Sequence, residues 1–93
     1  MPVVHVPGKG SRHVMLYALS TCGWCRMTRE LIEKIGVAYD YLYVDQAQGK
    51  ERDDAMSEVS ACGPSPSFPT IIIEGGKCIT GYREAEIREA LGK

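Results

Sequence analysis

Ninety-three residues, 44% apolar and 25% charged, suit one compact domain with a core of its own. A formal net charge of -1, with no run of basic residues, argues against a nucleic-acid partner. No stretch reaches the ~20 apolar residues that span a bilayer. The opening segment, Met1-Pro2-Val3-Val4-His5-Val6-Pro7-Gly8-Lys9, has no charged leader ahead of a long apolar run. A cytoplasmic chain without a membrane partner is therefore expected.

Residues 1–12 read as an N-terminal extension to a domain spanning 13–93. Within it Val3-Val4-His5-Val6 is a short strand or a flexible tail, and Pro7-Gly8-Lys9-Gly10 is a turn. As a strand, 3–6 would fold back on the edge of the strand that follows. His13 to Leu19 is a buried strand, stopped by polar Ser20-Thr21. From Trp24 the period becomes helical: Met27, Leu31, Ile32 and Ile35 form the apolar stripe, and Gly36 is placed for a left-handed cap.

Val37 to Val44 is rich in strand formers. Asp45, with Gln48 three positions on, predicts the cap of a polar second helix over 46–61. A rigid loop, Cys62-Gly63-Pro64-Ser65-Pro66-Ser67, leads to Phe68-Pro69 and the strand Thr70-Ile71-Ile72-Ile73. Glu74-Gly75-Gly76-Lys77 turns into Cys78-Ile79-Thr80, and Tyr82 to Leu91 closes the chain as a helix with Ile87 and Leu91 inward. The order β-α-β-α-β-β-α predicts an α/β domain: a mixed four-stranded sheet under three helices, with a further N-terminal strand as an option.

The chemistry concentrates in Cys22-Gly23-Trp24-Cys25, where a strand ends and a helix begins. A sulfur at that point faces unpaired backbone N–H groups and the positive helix end, which favour thiolate. Cys22 is thus the expected nucleophile, with Arg26 one turn on as an aid or as part of a basic rim with Arg29 and Arg83. Cys25 is expected deeper, attacking once Cys22 carries a mixed disulfide. Structural zinc normally draws on two ligand pairs, and here Cys62, Cys78, His5 and His13 supply no second pair. No metal is therefore expected. Cys62 and Cys78 read as small buried apolar residues, with a regulatory disulfide involving Cys62 as the alternative.

Thr21-Cys22-Gly23-Trp24-Cys25 after a strand, Phe68-Pro69-Thr70 before one, and Gly81-Tyr82 after the hairpin resemble glutaredoxins of the thioredoxin fold. The resemblance covers residues 13 to 92. It implies that Phe68-Pro69 is a cis-proline dipeptide opposite the thiols, able to pair with an extended substrate. It implies substrate contacts at Thr21, Gly23, Trp24, Phe68, Pro69, Gly81 and Tyr82.

Two departures bear on the reductant. Glutaredoxins usually carry Lys or Arg where Leu19 stands. They also tend to carry Gly-Gly and an acid where this chain has Thr80-Gly81-Tyr82-Arg83-Glu84, a segment closer to the redoxins that serve ribonucleotide reductase.

The resemblance implies a monomeric enzyme reducing protein or low-molecular-weight disulfides through Cys22 and Cys25, with no tightly bound cofactor. It would be recharged by glutathione or by a thioredoxin reductase-like flavoprotein. Gly23 in place of the family's common proline also implies an alternative: a dimeric carrier of a [2Fe-2S] cluster held through Cys22.

Overall fold

The computed structural model describes residues 3–10, 13–63 and 67–92. Five strands, β1 (Val4–Val6), β2 (Val14–Ala18), β3 (Tyr39–Tyr43), β4 (Thr70–Ile73) and β5 (Lys77–Thr80), form one sheet in the order β1-β3-β2-β4-β5. Helices α1 (Gly23–Ile35), α2 (Gly49–Ala61) and α3 (Glu84–Leu91) cover it. The four-stranded mixed sheet and three helices are as the sequence predicts, and β1 is the additional strand. Pro64, Ser65 and Pro66, the centre of the expected rigid loop, lie outside the described residues, as do Met1 and Pro2 of the opening segment.

β2 and β3 run parallel with Ala18 opposite Tyr43, so both end at the same edge. β4 is antiparallel to β2, with Tyr17 opposite Thr70. β1 pairs antiparallel with β3, not with the strand that follows it. Both sides of β2 are already occupied, so the outer side of β3 is the place where β1 can bond. Gly8 makes that return possible: a Cβ there would lie 2.6 Å from the Ala38 nitrogen and from the Val37 carbonyl carbon. The Lys9 N–H donates to Gly36 O at 2.8 Å, and Ala38 N–H donates to Lys9 O at 2.9 Å.

The sheet separates two apolar cores. One, beneath α1 and α3, holds Leu16, Ile32, Ile71, Ile79 and Ile87; burying each such side chain is worth about 1.5–3 kcal/mol. The other, beneath α2, holds Tyr17, Leu42, Val44, Ala55 and Val59. Helix α1 ends on Gly36 at φ 94°, the left-handed cap that its sequence predicts. Its inward face differs by one step from the expected stripe. Thr28 is buried, its hydroxyl donating to Trp24 O at 2.8 Å, while Met27 is exposed.

Arg29 also turns inward rather than to a rim. Its guanidinium donates to the hydroxyls of Tyr39 (3.3 Å) and Tyr43 (2.8 Å), pairs with Glu33 (3.1 Å) and lies 4.1 Å from the centre of the Tyr41 ring. This charge-assisted set, with a cation over an aromatic face, fastens α1 to β3.

Asp45 does not cap α2. It lies in a 3-10 turn, Val44–Gln46, and α2 begins later, after Gln48, with no side-chain cap. Cys62 and Cys78 are not separate packed thiols either: they form a disulfide, with Cα atoms 5.8 Å apart. Cys62 ends α2, and the pairing of Cys78 with Ile72 turns both toward the core beneath α2.

Candidate active site

The site grows from the carboxyl end of β2. After Ala18 the chain makes a tight turn, in which Cys22 N–H donates to Leu19 O at 3.2 Å. Cys22 is the N-cap of α1, with extended backbone (φ -93°, ψ 117°). Its Sγ accepts the Cys25 N–H at 3.2 Å, as the oxygen of a Ser or Asp cap would. A helix donor therefore points at the sulfur that would carry negative charge, and no acidic residue occupies the first turn of α1.

Cys22 is half-buried and Cys25 is completely buried. The Leu19 N–H points at Cys25 Sγ, 3.5 Å away. Burial, reinforced by the bond to Cys22, pushes the Cys25 thiol up to about 12, with the Leu19 N–H pulling the other way; the charges of Cys22 and Asp45 add to the rise. The dithiol thus has an accessible member and a protonated, shielded one.

The other expected contact residues gather at the same end of the sheet. The Phe68–Pro69 bond is cis. Because Thr70 faces Tyr17, Pro69 lies level with the end of β2. Pro69 O accepts the Gly81 N–H at 2.7 Å, tying the proline turn to the end of β5. Tyr82, one residue on, stacks against Trp24. Trp24 is 59% exposed and so is not part of the core. Beside this pair a groove of about 200 Å³ runs between α1 and α3, lined by Met27, Leu31, Lys34, Tyr82 and Arg88 among others.

Thr21 is exposed on the turn and Gly23 is exposed at the first position of α1. The basic rim does not assemble as expected: Arg26 pairs with Glu30 (3.4 Å), Arg83 donates to Thr80 O (2.9 Å) and Arg29 is turned inward. Leu19 packs against the core beneath α2. Sequence reasoning missed the contact of Asp45 with this turn: its carboxylate accepts both the backbone N–H of Ser20 (3.0 Å) and the Ser20 hydroxyl. The signal available was the parallel pairing of β2 and β3, which brings residues 20 and 45 to one edge. Among the described residues, no three His, Cys, Asp or Glu converge as a metal site.

A two-cysteine turn leading into the first helix of this mixed sheet defines a class, the thiol oxidoreductases of the thioredoxin fold. Residues 14–79 match the glutaredoxin family model, and the chain belongs to the glutaredoxin family. A glutaredoxin from Methanosarcina mazei Go1 is similar over the whole chain and 90% of its own length, at 46% identity and a TM-score of 0.89. Methanosarcina acetivorans methanoredoxin is 43% identical, with a TM-score of 0.82 over 87% of this chain and 85% of its own. An uncharacterized glutaredoxin-like 8.6 kDa protein in the rubredoxin operon of Clostridium pasteurianum is 31% identical over 86% of this chain and 99% of its own.

Proposed function

We propose that the chain reduces disulfides of proteins or small thiols, with Cys22 as nucleophile and Cys25 as resolving residue. The observation that carries this reading is the helix-capping Cys22 sulfur, half-buried and held by the Cys25 N–H, over a fully buried Cys25 thiol. In the first step the Cys22 thiolate attacks one substrate sulfur. A mixed disulfide forms and the other sulfur departs as a thiolate, taking a proton from solvent.

In the second step Cys25 attacks Cys22 Sγ. The Cys22–Cys25 disulfide forms, the second substrate sulfur leaves, and the Cys25 proton goes with it. Overall, one substrate disulfide becomes two thiols and the protein dithiol is oxidised by two electrons. The timing follows from what raises the Cys25 thiol. Once Cys22 is in a mixed disulfide, its charge is gone and its sulfur is a poor partner for the Cys25 thiol. Burial still opposes ionisation, but the Leu19 N–H remains to favour it. Cys25 becomes a better nucleophile when it has something to attack.

Leu19, packed into the core, stands where the family usually carries the Lys or Arg that meets a glutathione carboxylate, and Tyr82-Arg83 follow Gly81 where the family tends to carry an acid. This supports a flavoprotein reductase over glutathione as electron donor. Cys22→Ser is expected to abolish disulfide reduction, and Cys25→Ser to accumulate mixed disulfides visible by mass; full activity in Cys22→Ser overturns the assignment. Supplying the oxidised protein with glutathione and its reductase, or with NADPH and thioredoxin reductase, identifies the donor.

A [2Fe-2S] carrier is the reading from another class. With Cys25 fully buried, each chain offers one accessible sulfur, so its donors do not fit a cluster held by one chain. A second copy and outside thiols would be required, and anaerobic purification as a brown dimer is the result that would establish it.

A further inference from the structure

We propose that Asp45 is a positioning residue for the dithiol, fixing from outside the turn that delivers Cys22. The inference rests on the reading of Cys22 and Cys25 as the working pair and adds a residue to it.

The geometry starts from the parallel register. With Ala18 beside Tyr43, the chain leaving β2 and the chain leaving β3 part company at neighbouring points. One enters the Leu19–Cys22 turn and the other the 3-10 turn that holds Asp45. Within the first turn, the backbone groups of Leu19 are taken by the dithiol itself. Its carbonyl accepts from Cys22 N–H and its N–H points at Cys25 Sγ. Ser20, between Leu19 and the cysteines, gives its N–H and its hydroxyl to the two oxygens of Asp45. The turn is held by the thiols on one side and by Asp45 on the other.

Charge works against this arrangement. The two Ser20 donors hold the Asp45 carboxyl below the ordinary carboxylate range, so it is ionised wherever the thiols react. Its negative charge is the last of the contributions that raise Cys25. Arg26, one turn into α1, is paired with Glu30. The dithiol therefore keeps an unfavourable charge in return for an ordered approach. Substitutions can separate the two effects.

Asp45→Asn keeps an acceptor oxygen for Ser20 and removes the charge. Asp45→Ala removes both. Ser20→Ala keeps the backbone bond and the charge. The readouts, on the full chain, are kcat and KM for disulfide reduction and the amount of mixed disulfide trapped on Cys22, read by mass.

Asp45→Asn should keep the parent's kcat/KM, because an acceptor for Ser20 is retained. Ser20→Ala, which keeps the backbone bond, should stay within about threefold of the parent. Asp45→Ala should lower kcat/KM about tenfold, with mixed disulfide accumulating because Cys22 is no longer held against Cys25. A folded Asp45→Ala with the parent's kcat/KM, or an Asp45→Asn that falls about tenfold despite its retained acceptor, overturns the proposal. Full activity in Cys22→Ser overturns the reading beneath it instead.

Discussion

Tyr82 lies against Trp24 with ring centroids 5.6 Å apart and planes 29° apart, so the residue after Cys22-Gly23 and the residue after Gly81 form one aromatic surface. Each belongs to a separate motif in the sequence. Together they give the dithiol an apolar flank on the side of α3, continuous with exposed Met27. Pairing an exposed ring with a half-buried one is worth about 0.5–1.5 kcal/mol beyond the area buried, so each ring holds the other in place.

Replacing either ring by alanine should raise KM for a protein disulfide about fivefold, the equivalent of ~1 kcal/mol, with kcat nearly unchanged. The double substitution should cost less than the sum of the two, because each loses its partner. Trp24 is the sole tryptophan, so its fluorescence reports docking at this flank directly. Strict additivity, or an unchanged KM, would refute a shared surface.

The Cys62–Cys78 disulfide predicts a thiol count. Fully reduced protein should present four thiols, and mild oxidation should consume all four as two pairs. Cys78→Ala should lose two on oxidation, both in the active turn. With its ends separated by 16 in sequence, the bridge should stabilise the fold by about 3 kcal/mol on the chain-entropy model. Thermal unfolding of the parent with and without that bridge reads the difference. Loss of only two thiols from the oxidised parent would sink this expectation.

Asp40 gives a pH-dependent stability. It bridges His5 Nδ1 (2.6 Å) and His13 Nε2 (3.1 Å), joining β1 and the start of β2 through β3. The bond from His5 first, then that from His13, holds its carboxyl below the usual range against a desolvation cost. A depressed carboxyl stabilises the fold above its unfolded pKa, ~4, and the contribution disappears as the pH falls through the lower folded value. Asp40→Asn should cost about 0.5–1 kcal/mol near neutral pH, as for other largely surface pairs. The gap to the parent should close below pH ~4, where the parent's carboxylate is also neutralised. Urea midpoints that stay parallel down to that range would contradict it.

Local patterns in the sequence were enough for what local physics decides. The run Val14 to Ala18, the helical spacing of Leu31 and Ile32, the glycine cap at 36 and the Gly75-Gly76 hairpin each mark their element. Even there Met27 and Thr28 trade places, because a threonine that bonds its own helix can be buried as readily as a methionine. Relations set by topology left no local trace. Asp45 and Gln48 spell a helix cap, yet the aspartate finds Ser20 because a parallel pairing brings it there. Cys62 and Cys78 look like unrelated apolar positions until the Ile72–Cys78 register turns one toward the end of α2. Arg29 has the spacing of a solvent face and is drawn inward by three tyrosines of a strand that follows it.

β1 also covers an edge along which copies of this protein could otherwise pair. Without it, β3 would offer solvent a five-residue border, Tyr39 to Tyr43, of unpaired amides between tyrosines, a template for another chain to extend. The Gly8 turn lays three residues along that border, and Pro7, which has no amide hydrogen, follows immediately. A long, sticky margin is replaced by a short one with a non-donating stop. Shortening the chain before Lys9 would thus leave the thiols untouched and expose a seam along which copies could join.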